Sequence, residues 1–289
     1  MKPSRTPPVI VIGAHRSGTS LATGLLERLG LFSGWWKEAN SESRMFLRWN
    51  MMLLRKSGGR WDHPAAVRHL LATESLKASY AHGIGSLLDS PLLVAYLGPL
   101  RYARYRSLSR LDFPWGWKDP RNTFTLPLWL NLFPRAKVLH VRRHGVDVAA
   151  SLFERSLAHR ERSDRLEARG AALFVLGAYA GPYARSSPAD RLSGAFEIWE
   201  EYMAEASGQI AQLPPERALE IDYEDILSSP VETVRAAADF CGLEVGEDAL
   251  HDAVRSIDPR RGFAYRRDPA LVRMAEEMGD RLRRFGYDS

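Results

Sequence analysis

Three short aliphatic runs interrupt a chain that is otherwise patterned for helices. They are Val9-Ile10-Val11-Ile12, Lys137-Val138-Leu139-His140-Val141 and Ala218-Leu219-Glu220-Ile221. Runs this short and rich in β-branched residues read as strands. A further extended piece around Trp115–Lys118 stops at Asp119-Pro120. Between these runs apolar residues recur at helical spacing. Leu21, Leu25 and Leu29 share one face of a helix from about Thr19, and Gly30 is a fitting stop. Residues 41–57, 64–112, 126–133, 171–212 and 231–240 read as mostly helical, as does a segment starting near Val146. Breaks are expected at Gly58-Gly59, Ser90-Pro91, Gly181-Pro182 and Ser186–Pro188. The last 30 residues are basic and read as partly irregular. This alternation predicts an α/β fold of three layers, a central parallel sheet with helices on both faces. With no repeat and no long linker, one domain over 1–289 is expected.

Composition narrows the class. The 289 residues carry 40 Lys and Arg against 35 Asp and Glu, a net charge of +5, with 45% apolar residues. That balance excludes a disordered or collagen-like chain. The single cysteine, Cys241, excludes an internal disulfide and a cysteine zinc cluster. No segment reads as a signal peptide or a membrane span, so a cytoplasmic protein is expected. Of the 40 cations 34 are Arg. Guanidinium suits bidentate grip on phosphate or sulfate, although composition bias gives the same count. The small charge excess, without a basic stripe or an RNA-binding aromatic run, argues against a nucleic-acid partner.

The first strand runs into Gly13-Ala14-His15-Arg16-Ser17-Gly18-Thr19-Ser20. A strand, a glycine loop and a helix start make an anion cradle from backbone amides and the helix dipole. Gly13 and Gly18 have phosphate-loop spacing. A nucleoside triphosphatase loop would continue with Lys and Ser or Thr; here Gly18 precedes Thr19 and Ser20, and the cation, Arg16, sits inside the loop. That argues against Mg-ATP chemistry and for another phosphate-bearing donor.

Arg16-Ser17-Gly18-Thr19-Ser20 resembles the first signature of the sulfotransferases that use 3′-phosphoadenosine 5′-phosphosulfate (PAPS). Their second signature, a strand-ending Arg with a Ser eight positions later, resembles Arg143 and Ser151. The resemblance implies that Gly13, His15, Arg16, Ser17, Gly18, Thr19 and Ser20 hold the 5′-phosphosulfate. It assigns Arg143 and Ser151 to the 3′-phosphate. Trp117-Lys118-Asp119-Pro120-Arg121 is similar to the segment that brings a Lys to the transferring sulfate, and Asp222-Tyr223-Glu224-Asp225 to the one that sets a Tyr by the nucleotide. Arg260-Arg261-Gly262 is similar to the basic segment over the 3′-phosphate. Arg16, Lys118, Arg143 and Tyr223 each follow a predicted strand, the edge where open parallel sheets bind ligands.

The expected activity is in-line sulfuryl transfer from PAPS to a hydroxyl, with Arg16 and Lys118 neutralising the leaving phosphate and no metal. The base is open. Cytosolic relatives use a His where this chain has Pro120, so that role does not carry over. Glu38 and Glu42 are the candidates; Glu42 is favoured because Asn40-Ser41-Glu42-Ser43 reads as a helix start, and it could equally be a capping-box acid. His63 is an outside candidate. Trp35, Trp36, Trp49, Trp61, Trp115 and Trp117 could line an acceptor site or fill the core. Residues 64–112 and 160–212 carry no motif and are expected either to wall the acceptor pocket or to be plain scaffold, with a carbohydrate, glycolipid or small metabolite as acceptor and a homodimer left open. The alternatives are a phosphate-loop kinase for a small molecule and a non-catalytic protein that binds 3′-phosphoadenosine 5′-phosphate (PAP).

Overall fold

The computed structural model describes residues 5–175 and 187–288, the side chains of 161–175 apart. Four strands alternate with helices: β1 (Val9–Ile12), β2 (Gly116–Lys118), β3 (Lys137–Arg142) and β4 (Ala218–Asp222). The helices before β2 are α1 (Thr19–Arg28), α2 (Arg44–Lys56), α3 (Ala66–Ala72), α4 (Glu74–Leu88) and α5 (Val94–Tyr105). Between β2 and β4 lie α6 (Asn122–Leu132), α7 (Gly145–Val175) and α8 (Leu192–Ile210). After β4 come α9 (Tyr223–Ser228), α10 (Pro230–Cys241), α11 (Glu247–Val254), α12 (Pro269–Glu277) and α13 (Gly279–Arg283). The three aliphatic runs and the extended piece at Trp115–Lys118 are thus the strands. The tail expected to be partly irregular holds α12 and α13. Its sparse apolar positions, Met274, Ala275 and Leu282, are buried, which is enough to fix short helices. The break expected at Gly181-Pro182 and part of segment 160–212 lie outside the described residues.

Contacts divide the chain into two compact units, Met1–Arg143 with Tyr202–Phe263, and His144–Glu201 with Ala264–Ser289. The first holds the sheet, in order β2-β1-β3-β4, all parallel. β1 is central because Ile10 pairs with both Trp117 and Val138, and all four of its residues are buried. Parallel strands need both faces covered. On one face Val9, Val11, Leu139, Val141 and Ile221 pack with Ala22, Leu25 and Leu26 of α1 and with Val234, Ala237 and Ala238 of α10. The buried stripe of α1 is therefore shifted by about one residue from the predicted Leu21/Leu25/Leu29 line, and Leu21 and Leu29 are only partly buried. Elsewhere in this unit Trp117 stacks on Phe46 of α2 at 3.9 Å and meets Trp129 of α6 edge-on. Trp115 and Trp117 are thus core residues, the simpler of their two readings. Beneath them Asn50 donates to Asp119 and Asn122, and accepts from Thr125 and Trp129, so its amide is satisfied in the interior.

The second unit is organised on the start of α7. A Cβ on Gly145 would lie 2.7 Å from the Trp199 ring, so this turn needs glycine. Asp147 accepts from the backbone amides of Ala264 and Tyr265 at 3.1 and 2.8 Å, and His144 stacks on Tyr265 at 4.3 Å. Asp147, inside the second signature but without a predicted role, therefore anchors the 264–267 turn to α7.

Candidate active site

β1 lies between β2 and β3, and the chain leaves β1 for one side and later returns on the other. In open α/β sheets that switch point is where ligands bind, beyond the carboxyl ends of the strands. Gly13 takes φ 145°, and a Cβ there would fall 2.4 Å from the Val141 carbonyl of β3, so only glycine lets the loop leave the strand. Its amide donates to Thr123 Oγ1 of α6 at 3.2 Å. Gly18 takes φ 92° and caps α1; a Cβ there would lie 2.2 Å from the Tyr223 ring. Arg16 adopts φ 72°, an uncommon left-handed conformation for a residue with a side chain. Its side chain is exposed at the rim of the loop, as is Ser20.

The long-range partners come to the same place. Arg143 Nη1 donates to the Arg16 carbonyl at 3.2 Å, and the Arg143 guanidinium lies 4.6 Å from the centre of the Tyr223 ring. Three segments from the ends of β1, β3 and β4 thus meet around Gly18. The neighbouring Arg142 makes a bidentate pair with Asp222, at 3.1 and 2.6 Å, which leaves the two arginines with separate tasks. Asp222, the acid that a kinase reading would want on magnesium, is held by that guanidinium. Among the described residues no group of three or more His, Cys, Asp and Glu could hold a metal ion.

Beside the loop lies a buried ionic cluster. Val11 pairs with Lys118, which ends β2, and Glu42 joins Lys118 in an isolated parallel bridge. Lys118 Nζ donates to Glu42 Oε1 at 3.2 Å; both residues are buried. Arg121 Nη1 sits 3.9 Å from Glu42 Oε2 and 2.9 Å from Asp119 Oδ1. Burial, reinforced by the nearby Asp119 charge, pushes the Glu42 carboxyl above its ordinary range against the pull of Lys118 and Arg121. Burial likewise lowers the Lys118 ammonium, with Glu42 opposing. α2 begins at Arg44 with Ser43 as its cap and no side-chain capping bond, so the Glu42 carboxylate serves Lys118 and not a capping box. Ser20 Oγ donates to the Asn40 carbonyl at 3.1 Å, tying α1 to the loop that presents Glu42. Glu38 is a backbone neighbour of Glu42, its amide donating to the Glu42 carbonyl at 2.9 Å, but its carboxylate pairs with Arg44 at 2.5 Å and is half-exposed.

His15 is buried edge-on to Trp61 and Tyr202, at ring distances of 5.2 and 5.8 Å, and Tyr202 donates to the Trp61 carbonyl. Arg121 and Tyr202 are additions that no motif flagged by role. Arg121 belongs to the Trp117–Arg121 segment, and its approach to Glu42 is visible only in the structure. Arg260 pairs with Asp258 at 3.0 Å and is exposed, as is Arg261; both lie on a short 3-10 turn packed against α9. His63 is exposed as well, and Ser151 lies half-buried on α7 of the second unit. Among the described residues no single helix is long and apolar enough to cross a membrane.

A parallel sheet with a glycine loop, a strand-end arginine and a tyrosine converging at its switch point defines a protein of the phosphate-loop α/β class. The chain belongs to the sulfotransferase family, whose model matches residues 7–247. The solved structures that share its fold include two matched over nearly their whole length. One is the sulfotransferase domain of the olefin synthase of Synechococcus PCC 7002, 19% identical with a TM-score of 0.51 over 100% of this chain and 98% of that one. The other is the sulfotransferase domain from the curacin biosynthetic pathway, 15% identical with a TM-score of 0.50 over 95% and 98%. No curated protein matches the chain by sequence.

Proposed function

We propose that this sulfotransferase takes its sulfuryl group from PAPS and passes it to a hydroxyl acceptor, with Glu42 as general base. The observation that carries the reading is the meeting of Arg16, Gly18, Arg143 and Tyr223 beside the buried Lys118–Glu42 pair.

The residues fit such a donor. α1 opens with no acidic residue in its first turn and no side-chain cap on its amides, which suits an anion. The Ser17 hydroxyl is buried in the loop with no hydrogen-bond partner, a donor whose desolvation a phosphate oxygen would offset. Bound there, PAPS supplies an activated sulfuryl group with a phosphate as its leaving group. In this reading the loop, Arg16, Thr19 and Ser20 hold the 5′ end, Arg143 neutralises the 3′-phosphate, and Tyr223 flanks the nucleotide. Lys118 places its ammonium where charge builds on the leaving oxygen. Glu42 accepts the acceptor's proton at Oε1 or Oε2. The salt bridge to Lys118 and the proximity of Arg121 orient the carboxylate and oppose the rise in its pKa that burial and Asp119 impose. Trp61, half-buried and backed by His15 and the buried Tyr202, offers an aromatic surface suited to an acceptor with an apolar or sugar face.

Incubation with PAPS labelled in its sulfuryl group, and a panel of sugar, glycolipid and small hydroxylated acceptors, tests the reading. Label is expected on an acceptor hydroxyl with PAP released in equal amount and without magnesium. Transfer from labelled ATP in place of PAPS would support the kinase reading instead.

A further inference from the structure

We propose that the face built from the 35–36 loop, residues 91–93 and α5 docks on an anionic lipid bilayer. The inference is independent of the donor and acceptor assigned above.

The apolar side chains of this face stand out in solvent. Leu100 is 87% exposed, Trp35 59% and Leu92 58%, well beyond what a solitary surface leucine needs explaining for, and Trp36 and Val94 join them. The fold holds them there. Gly98, at φ 75°, breaks α5 ahead of Pro99 and Leu100. The Trp35 ring fills the space over Gly98, where a Cβ would lie 2.7 Å from it, and the Trp35 amide donates to the Tyr96 carbonyl at 2.7 Å. Trp35 is therefore fixed against the segment that presents Leu100.

The charge around these residues is mainly positive: exposed Asp89 precedes residues 91–93 and Glu38 is paired with Arg44, but arginines outnumber both. Between Asp89 and Asp112 the chain has no acidic residue and four arginines, Arg101, Arg104, Arg106 and Arg110, all exposed. Asp112 itself accepts from the Tyr105 hydroxyl. Arg101 covers Phe32 at 4.4 Å, Arg106 covers Tyr102 at 5.5 Å, and Arg44 covers Trp36 at 4.6 Å. Protruding leucine and tryptophan rimmed by arginine and tyrosine is the composition that inserts at the headgroup boundary of an anionic membrane. Glu74–Leu88 and Pro91–Tyr105 together reach membrane-like hydropathy and are bent by 74°, which suits a segment lying on the surface and not one straight span. A bilayer also asks no shape complementarity of side chains that protrude, whereas a protein partner would.

The test is sedimentation of the full chain with phosphatidylcholine vesicles and with vesicles containing phosphatidylglycerol, at low and high salt. Binding is expected to favour the anionic vesicles by about ten-fold or more and to weaken with salt. Tryptophan emission should shift to the blue on binding. Leu100→Asp and Arg104→Glu should each abolish most of the binding, whereas Arg255→Glu, the same charge change on an exposed residue after α11, should not. Four results overturn the proposal: no sedimentation with either vesicle, equal loss with Arg255→Glu, retention by a soluble acidic polypeptide but not by vesicles, or a concentration-dependent dimer abolished by Leu100→Asp without vesicle binding.

Discussion

Replacing Glu42 by Gln is expected to lower kcat by about 10²–10⁴-fold while PAP affinity stays within about two-fold, the signature of a lost general base. Gln is the informative replacement because it keeps an acceptor for Lys118 Nζ. Truncating one partner of a buried ion pair instead costs about 3–5 kcal/mol and confuses turnover with folding. The pH profile gives a second, independent readout. Glu42 works when ionised, and burial raises its pKa, so the acidic limb of kcat should lie above the ordinary carboxylate range. Lys118 works when protonated, and burial lowers its pKa, so the alkaline limb should fall below the ordinary lysine range. The profile is therefore a bell narrower than two unperturbed groups would produce, and Glu42→Gln should remove its acidic side. Glu38→Gln, which disturbs only a half-exposed pair with Arg44, should leave both kcat and the profile unchanged. Full turnover in Glu42→Gln would place the base elsewhere.

Arg143→Ala is expected to weaken PAP binding by about 10- to 150-fold, the range for losing hydrogen bonds to a charged group of about 1.5–3 kcal/mol. Two losses combine. The guanidinium no longer meets a phosphate, and the Arg16 carbonyl and Tyr223 ring lose the group that joins them. The first is electrostatic and should shrink with added salt; the second loosens the left-handed turn at Arg16 and should persist. Arg142→Ala is the matched control: its guanidinium belongs to Asp222, so it should lower thermal stability with a smaller effect on affinity. Isothermal titration with PAP measures both variants. Equal affinities for Arg143→Ala and the parent chain would remove Arg143 from the donor site.

Much of this arrangement is legible in the residue order. The short aliphatic runs mark the strands because each is too short for a helix and is bounded by turn residues, with β1 the one of the four strands buried along its whole length in a β-branched run. Gly13 and Gly18 stand out because the strand-to-helix turn requires conformations that a Cβ forbids, and the structure shows which atoms would collide. The separation of Arg142 from Arg143 follows from alternation along β3, with one side chain toward β4 and Asp222 and the next toward the loop. What residue order does not reveal is pairing across long separations. Residue order favours Glu42 over Glu38 only through a helix start at 40–43; the bridge to Lys118, 76 positions away, is what separates them by chemistry. The Arg121–Glu42 approach and the packing of Tyr202 on His15 escape for the same reason, since both join segments far apart in the chain. The C-terminal helices are missed because a few buried contacts, not a long apolar stripe, hold them. Trp35 and Trp36 look like core or acceptor residues until their exposure is seen.

The most direct test of the central claim is a thermal shift of the unmodified chain with PAP, ADP and Mg-ATP, because a ligand that binds the folded state raises Tm by mass action. PAP at about a hundred times its Kd should stabilise the chain by about 2.7 kcal/mol, while Mg-ATP should leave Tm nearly unmoved. A rise in Tm with Mg-ATP and none with PAP would contradict the account, since the loop around Arg16 would then be serving a triphosphate.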